Sequence, residues 1–453
     1  MLAVILCAEL VTASALSLDA YGDEVIYDRP GKLESNLEKY APAAELVYSY
    51  DGGFYRLERV GEKLNNDPHL LALRGISGST STLNASVIQL LQDVGYGAES
   101  HFANYYSTSP LADSLFGVKY IISSKAFDDG VFVLNGELTD ASPDGVFVYE
   151  NPYALPIAYS ANGAVISEDT GKYGIGFEAL NGLASSLTGE ELSVYRPVTL
   201  SGIELGGGVS RGAADGYNYF LAAEEDREYY YIDLKVRMSG NGGSLFASFP
   251  LLPENEAVLF VNGERLTKLR EYDGTHIQLL GSFEKDETVT VRLQWKEGSI
   301  GLRSGINYFY RLDSEALSTA YGLLSDGAVT VTEHTDTRLA GNFTYSASAP
   351  VLFTTVPYDA DWTLRIDGKQ IETVRACGAL LSADLSSLGL TEGKHTFELT
   401  FVSTSLVTGA IISAVGALAL IAVALLPRLP LSAQLLSRLG KGGSNNEKSP
   451  SDE

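Results

Sequence analysis

Cysteine is scarce in this chain, which has only Cys7 and Cys377 among its 453 residues. Cys7 lies in an apolar N-terminal segment and Cys377 in a distant strand-rich region, so no disulfide between them is expected. A protein that works outside the cytoplasm without disulfides must rely on core burial for its stability. That situation is more typical of a bacterial surface than of a eukaryotic one.

Positive charge is also scarce, since 32 Lys and Arg residues face 57 Asp and Glu residues and the net charge is −25. So acidic a surface repels nucleic acid, and this excludes DNA or RNA as a partner. Hydrophobic residues at 45% and charged residues at 20% are typical of a folded globular protein. The length allows roughly two to four domains.

Motifs for metals, cofactors and catalysis are sparse. The five histidines are far apart and show no ligand-pair spacing. There is no P-loop and no calcium loop of the D-x-D-x-D-G type. Adjacent acids such as Asp128-Asp129 are more typical of a hydrated loop than of an acid–base pair. The sequence therefore predicts no metal, no cofactor and no identifiable catalytic residue.

One long hydrophobic run is present, Leu406 to Leu426, twenty-one residues without charge or proline. At about 1.5 Å per residue it can cross about 30 Å of hydrocarbon, so we predict a transmembrane helix over 405–427. Four basic residues follow it, and the nearest basic residue before it is Lys394. The positive-inside rule then predicts a cytoplasmic tail, 428–453, and an extracytoplasmic body upstream.

The apolar N-terminal segment, 1–18, allows three interpretations. Ala13-Ser14-Ala15 fits a signal-peptidase site, but no basic residue precedes the run and Glu9 interrupts it. The segment is marginal in length for a complete span. The third interpretation, the end of a transmembrane helix whose beginning is absent, is the one we prefer.

The next part, 19–165, mixes helices and strands and is predicted to be an α/β extracytoplasmic domain. The spacing of apolar residues predicts helices at 32–49 and 83–94, the second capped by Ser81 or Thr82. Alternation predicts strands at 54–60, 117–123, 131–134 and 145–151.

From Tyr195 onward the sequence is strand-rich and contains two similar blocks. The aligned pairs are 244–250 with 351–357, 258–266 with 363–371, and 289–295 with 395–401. The order repeats at a spacing of about a hundred residues. We therefore predict two related β-sandwich modules, 166–310 and 311–404, the second with a leading helix. The predicted fold class is α+β and strand-rich.

Polar residues concentrate between Asn65 and Asn84, around Gly75 and Gly78, and are followed by Tyr96, His101 and a tyrosine pair. Sugar and phosphosugar recognition needs hydroxyl and amide partners, an arginine for any phosphate, and aromatic faces. The predicted substrate-binding residues are Arg74, Ser77, Ser79, Thr80 and Asn84, with Tyr105 and Tyr106 as contact surface. The alternative is a Ser/Thr-rich loop that only caps a helix.

Several stretches also carry a family resemblance. These are 54–60, 73–84, 104–123, 148–159, 177–189, 314–326 and 351–369, followed by the terminal span. In this order they resemble the YfhO family of bacterial membrane proteins. The resemblance implies a multi-spanning glycosyltransferase that takes a sugar from a polyprenyl-phosphate donor outside the membrane. It also implies an acceptor that is a cell-wall polymer such as lipoteichoic acid.

The chain departs from the pattern of this family in one respect. The resemblance implies a preceding bundle of membrane helices with the catalytic acid in its first outer loop, and this sequence has no such bundle. Either the chain is a fragment or a separate polypeptide supplies the multi-spanning half. We therefore expect the extracytoplasmic half of an enzyme, which shapes the cleft or binds the acceptor. The alternative is a non-catalytic, membrane-anchored carbohydrate-binding surface protein.

Overall fold

The computed structural model describes residues 2–21, 31–60, 66–206, 208–222, 227–251, 255–269 and 276–425. Within them the chain forms a strand-rich α+β fold, as predicted. Asn65 of the predicted polar segment lies outside the described residues.

The N-terminal part combines helices with a small sheet. Its elements are α1 (Leu2–Tyr21), α2 (Lys32–Tyr50), β1 (Arg56–Val60), α3 (Asp67–Leu70), β2 (Gly78–Ser79), α4 (Ala85–Asp93), β3 (Gly97–Glu99), β4 (Phe102–Asn104), α5 (Pro110–Leu115), β5 (Val118–Ser123), β6 (Val133–Leu134), α6 (Gly136–Ala141), β7 (Phe147–Glu150), β8 (Ala158–Ala161) and α7 (Gly176–Thr188). One sheet has the order β1-β5-β7-β6, with β1 and β5 parallel, and a second has the order β2-β4-β3.

The packing of α2 shows why this sheet is stable. Tyr40, Ala44 and Val47 recur at helical spacing and are all buried. They belong to one core with Leu57 of β1 and Ile122 of β5. The sheet is therefore covered on this face by α2.

The first β-sandwich follows. Its strands are β9 (Tyr195–Pro197), β10 (Leu200–Gly206), β11 (Ser210–Ala214), β12 (Tyr217–Leu221), β13 (Tyr230–Arg237), β14 (Gly243–Ala247), β15 (Ala257–Val261), β16 (Glu264–Leu269), β17 (Gln278–Phe283), β18 (Thr288–Trp295), β19 (Ser299–Arg303) and β20 (Phe309–Leu312). The main sheets have the orders β10-β13-β18-β15-β16 and β17-β14-β20-β9, and β11-β12-β19 forms a third.

The second β-sandwich ends in the apolar helix. Its elements are α8 (Ser314–Ser325), β21 (Thr330–Thr335), β22 (Arg338–Tyr345), β23 (Val351–Pro357), β24 (Trp362–Ile366), β25 (Lys369–Ile371), β26 (Val374–Ala376), β27 (Leu380–Asp384), β28 (Gly393–Phe401) and α9 (Thr404–Leu425). Its sheets have the orders β21-β22-β28-β24-β25 and β26-β27-β23-β8.

The two five-stranded sheets share one topology, which confirms the predicted relation between the sandwiches. Each contains a hairpin turn at the equivalent place, Asn262-Gly263 in the first and Asp367-Gly368 in the second. All four turn residues have positive φ, at 48°, 87°, 49° and 77°. A two-residue turn of this kind matches the twist of the strands it joins, and Asn, Asp and Gly tolerate it best.

Strand β8 closes the second sandwich although it precedes the first sandwich in sequence. It pairs with β23 as β20 pairs with β14. In the aligned registers Tyr159 lies opposite Phe353, and Tyr310 lies opposite Phe246. The predicted boundary at residue 165 follows β8, so the α/β part of the chain contributes a strand to the last sandwich. The domain limits themselves remain a prediction.

The apolar helix α9 has its side chains exposed along its whole length. Among the described residues it is the one helix long and apolar enough to cross a membrane. This agrees with the span predicted at 405–427. The N-terminal helix α1 exposes apolar side chains such as Val4, Leu10 and Val11.

Candidate functional site

A cavity of about 560 Å³ lies where β1 and the following glycine-rich loop meet the second sandwich. This volume is in the range of small-molecule sites, which often lie between structural units. Its aromatic walls include Phe54 and Trp362, and its polar walls include Arg74, His334 and Asp336. The cavity therefore joins flat apolar faces to a few charged groups.

Arg74 is held in a defined position at this cavity. Its Nη1 donates to the carbonyl of Gly53 at 3.2 Å. Its guanidinium carbon lies 4.8 Å from the ring centroid of Tyr48 and 5.3 Å from that of Phe54. Such cation–π contacts orient an arginine without neutralising it. The side chain can therefore present a positive charge to a ligand in the cavity.

Glu58 on β1 fixes the loop that carries Arg74. Its carboxylate is buried and accepts from the backbone N–H of Ile76, from Ser77 N at 2.9 Å and from Ser77 Oγ at 3.1 Å. Burial raises the pKa of Glu58, and these donors partly oppose that shift. A Cβ on Gly75 would come within 2.6 Å of Glu58 Oε1, so the loop requires glycine there. Ser77 is thus occupied in holding the loop.

Arg56, two residues before Glu58, ties the two sides of the cavity together. Its Nη1 donates to the carbonyl of Phe116 and to Thr355 Oγ1 at 2.7 Å, and its Nη2 donates to the carbonyl of Thr355 at 3.0 Å. Thr355 lies on β23 of the second sandwich. Arg56 therefore acts as a structural clamp.

Two further predicted residues, Ser79 and Thr80, make hydrogen bonds just after the glycine-rich loop. Ser79 N donates to Asn66 Oδ1 at 2.7 Å, and Ser79 Oγ donates to the carbonyl of His101 at 3.0 Å. Thr80 is exposed and its hydroxyl lies 3.1 Å from that of Thr82. Neither lines the cavity: Ser79 ends β2 of the small sheet, and Thr80 directly follows it.

The cap of α4 differs from the prediction. Asn84 Oδ1 accepts from Ser86 N at 3.0 Å and from Val87 N at 3.4 Å, so Asn84 is the N-cap and the helix begins at Ala85. The prediction that Ser81 or Thr82 caps this helix was wrong. Asparagine is at least as good a cap as serine, and here it directly precedes the first helical residue.

The two predicted contact tyrosines have different environments. Tyr105 is 3% exposed, and its hydroxyl donates to Asp113 Oδ2 at 2.7 Å. This burial does not fit the contact surface that the sequence suggested. Tyr106 is partly buried, accepts from Asn104 Nδ2 at 2.7 Å and lies 5.1 Å from the His276 ring. Of the seven predicted residues, Arg74 alone lines the cavity.

The cavity adjoins the start of α9. Asp361 precedes the lining residue Trp362, and its carboxylate accepts from Thr404 N at 3.0 Å and from Thr404 Oγ1 at 2.6 Å. An acidic group at a helix N-terminus is also favoured by the helix dipole. The Trp362 ring lies 5.0 Å from that of Phe401, whose N–H donates to the carbonyl of Thr337 at 2.8 Å. The segments that carry the lining residues Trp362 and Asp336 are thus attached to the chain at the N-terminus of the apolar helix.

The described residues contain neither a metal-binding cluster nor a nucleophile elbow. Those residues contain no group of three His, Cys, Asp or Glu side chains that could hold a metal. The letters G-x-S-x-G do occur at 208–212, which the sequence reasoning overlooked. Ser210 begins an antiparallel strand and is exposed, whereas a nucleophile elbow joins a strand to a helix.

Comparison with known proteins gives one family. The family described as bacterial membrane protein YfhO matches residues 1–413. No curated protein matches the chain.

Similar solved structures are distant. A conserved protein of unknown function from Pseudomonas aeruginosa PAO1 is 11% identical over 44% of this chain and 92% of its own, with a TM-score of 0.13. An anti-sigma factor domain-containing protein from Clostridium clariflavum is 12% identical over 42% and 83%, with a TM-score of 0.15. The beta-glucuronidase of Ruminococcus gnavus is 8% identical over 47% and 45%, with a TM-score of 0.16. At these TM-scores the likenesses carry no functional argument.

Proposed function

Because the chain belongs to the YfhO family of bacterial membrane proteins, we propose that it is the extracytoplasmic half of a membrane glycosyltransferase. The enzyme transfers a sugar from a polyprenyl-phosphate donor to a cell-wall polymer such as lipoteichoic acid. The part described here binds the acceptor or shapes the cleft that receives it. The catalytic residue is supplied by a multi-spanning half and is assigned to no residue of this chain.

The observation that carries this proposal is the cavity beside α9. It combines the aromatic faces of Phe54 and Trp362 with the guanidinium of Arg74 and the carboxylate of Asp336. Sugar rings pack their C–H faces on aromatic side chains and hydrogen-bond through their hydroxyls to charged groups. A site at the foot of a membrane helix is also where a lipid-linked donor and a membrane-anchored polymer can meet.

The orientation is part of the proposal. The body that precedes α9 is extracytoplasmic, and the basic tail after it is cytoplasmic. The excess of acidic residues over the whole chain keeps the body soluble and gives no attraction for the anionic bilayer surface. A membrane protein with its substrate site on this side works on wall polymers rather than on cytoplasmic sugars.

We assign distinct roles to the predicted site residues. Arg74 contacts the substrate. Ser77, Ser79 and Asn84 keep the loop and α4 in place through the hydrogen bonds described above. Thr80 and Tyr106 lie outside the cavity and serve an extended polymer that leaves it.

Sugar transfer in cells tests this function. The full enzyme, including the multi-spanning half, is produced with Arg74→Ala, and the sugar content per polymer chain is measured. We expect transfer to fall at least about tenfold, as for loss of a charge-assisted contact. Arg375→Ala is the matched control, because Arg375 also packs on a tyrosine, at 4.6 Å from the Tyr358 ring, but outside the cavity. Normal transfer by Arg74→Ala would refute the assignment.

The second candidate is a non-catalytic carbohydrate-binding surface protein. The cavity favours it in one respect, because its aromatic and polar lining suits sugar binding by itself. That function predicts that the full chain, reconstituted alone, binds cell-wall glycans. The enzyme-half function predicts weak or no binding until the multi-spanning half is added.

A further inference from the structure

We propose that the cavity takes a phosphate group carried at the surface of the bilayer, with Arg74 as its ligand. This inference rests on the proposed function in one respect, that this cavity is the substrate site. It adds the chemical class of the bound group and its depth relative to the membrane. Three features of the structure support it.

The first feature is the position of the cavity. The N–H of Val402 donates to the carbonyl of Asp361 at 3.2 Å, and that of Phe401 donates to Thr337. Both acceptors belong to segments that line or directly flank the cavity. Between these bonds and the start of α9 at Thr404 there is no free linker, so the cavity cannot move far from the membrane surface. A bound group there lies at the depth of lipid headgroups.

The second feature is the charge of the lining. The lining contains two arginines, Arg56 and Arg74, and one acidic residue, Asp336, in a chain whose net charge is −25. Arg56 is occupied by three hydrogen bonds to Phe116 and Thr355. The Arg74 side chain has one hydrogen bond, to the carbonyl of Gly53, and therefore keeps N–H donors for a ligand. Guanidinium donors match the oxygens of a phosphate in geometry and charge.

The third feature is the apolar wall beside that charge. Trp362 and Phe54 contribute aromatic rings to the lining, and Leu339 and Val356 contribute aliphatic side chains. Tryptophan is the side chain most typical of membrane interfaces, because its ring is apolar and its N–H is polar. A phosphate attached to a glycerol or a sugar can contact both the Arg74 guanidinium and the apolar wall, whereas free inorganic phosphate can contact only the guanidinium.

Two sources share this chemistry: the headgroup of an anionic lipid, and the phosphate of a membrane-anchored polymer. Asp336, which also lines the cavity, repels either one and limits the affinity. Its replacement by asparagine therefore strengthens binding, which is a result that a purely structural role for the cavity does not produce.

The chain contains its own reporter for this test. It has two tryptophans, Trp295 and Trp362. Trp295 is 4% exposed in the core of the first sandwich, whereas Trp362 lines the cavity. The variant Trp295→Phe leaves Trp362 as the single tryptophan. The full chain carrying it is reconstituted in phosphatidylcholine nanodiscs and titrated with soluble glycerol phosphate. In a second arm the nanodiscs contain increasing phosphatidylglycerol.

We expect a saturable change of Trp362 emission with at least one probe. Arg74→Gln raises the probe concentration at half-maximal response at least about tenfold. Arg74→Lys raises this concentration less, and Arg375→Gln leaves it unchanged. Asp336→Asn lowers it. A response to phosphatidylglycerol alone identifies a lipid headgroup, and a response to both probes identifies the phosphate as sufficient. If emission responds to neither, or if Arg74→Gln behaves like Arg375→Gln, the inference is wrong.

Folding and function are controlled separately. The emission maximum of Trp362 and the far-ultraviolet circular dichroism without probe show whether Arg74→Gln is folded, and Arg74→Lys replaces it if it is not. Loss of sugar transfer without any phosphate response refutes this inference and leaves the proposed function intact. If the phosphate response requires Arg74 but Arg74→Ala still transfers sugar normally, this inference stands and the proposed function is refuted.

Discussion

Tyr159 of β8 lies directly opposite Phe353 of β23, with their ring centroids 5.3 Å apart. The pair joins a strand that comes before the first sandwich to the centre of the second one. Tyr159 is fully buried, and its hydroxyl donates to the carbonyl of Leu115 at 3.0 Å. The N-terminal part and the last sandwich are therefore linked through a shared core. The strand β23 that carries Phe353 also contributes Val356 and Pro357 to the lining of the cavity.

We predict that Tyr159→Ala destabilises the second sandwich by about 3–5 kcal/mol, the usual cost of removing a large buried aromatic side chain. Thermal unfolding followed by Trp362 emission in the Trp295→Phe chain measures it. Tyr229→Ala is the control, because Tyr229 is 42% exposed and its loss should change stability by less than about 0.5 kcal/mol. Equal effects of the two variants would show that β8 does not close the sandwich.

A second prediction concerns Glu58, which holds the loop of Arg74. Glu58→Gln replaces an acceptor oxygen by an NH2 group that faces backbone N–H donors, and leaving these unsatisfied costs about 1–3 kcal/mol. We expect phosphate binding to weaken although Arg74 is intact, measured by Trp362 emission. Glu137→Gln, in the exposed first turn of α6, is the control. Unchanged binding in Glu58→Gln would remove the positioning role.

A third prediction concerns the attachment of α9. Asp361→Ala removes the carboxylate that accepts from Thr404. Loss of a charge-assisted hydrogen bond costs at least about 1 kcal/mol, so the Thr404 amide should exchange at least about fivefold faster with solvent deuterium. Asp384→Ala is a suitable control, because Asp384 accepts from Ser386 in a turn far from α9 in sequence. Identical exchange of the Thr404 amide in both variants contradicts this contact.

A fourth prediction is a pH dependence at the turn of the second sandwich. His395 Nδ1 lies 2.6 Å from Asp367 Oδ2, and His395 Nε2 lies 2.7 Å from the carbonyl of Thr391. Both neighbours are acceptors, so the ring satisfies both only when it is protonated on both nitrogens. The hydrogen bond to Asp367 is the main cause that raises the pKa of His395 above 6.5. The same bond lowers the pKa of Asp367 below 3.8.

The direction of the effect follows from these two shifts. The raised pKa of His395 gives stability that is fully present below pH 6.5 and is lost as the pH rises through the folded-state pKa. The lowered pKa of Asp367 gives stability that is present above pH 3.8 and is lost as the pH falls through its folded-state pKa. Protection of the Thr396 amide should therefore be greatest between about pH 4 and 6.5. His395→Gln should abolish its decline at higher pH, and a decline that persists would contradict the doubly donating ring.

The sequence predicted the features that local pattern determines. The apolar run of α9 and the relation between the two sandwiches follow from composition and spacing alone. The glycine-rich loop before α4 was also recognised as a distinct feature. Each of these features is determined by residues that are close together in the chain, so their pattern is visible in a single sequence.

The sequence could not predict which distant segments meet. Strand β8 is four residues long, and its partner β23 lies almost two hundred residues later, so no local pattern identifies the pair. Arg74 and Trp362 share a cavity for the same long-range reason. Tyr105 was taken for a contact surface because tyrosine suits both surfaces and cores. The buried acceptor Asp113 decides the outcome, and nothing in the sequence marks it as buried.

The central claim is that the cavity beside α9 lies at the membrane surface. The most direct measurement is quenching of Trp362 in the Trp295→Phe chain by lipids brominated near the headgroup and, separately, near the chain ends. The account predicts strong quenching by the first, weak quenching by the second, and little quenching of Trp295 in a Trp362→Phe chain. Equal, weak quenching of both tryptophans by every lipid would place the cavity in open solvent and contradict the account.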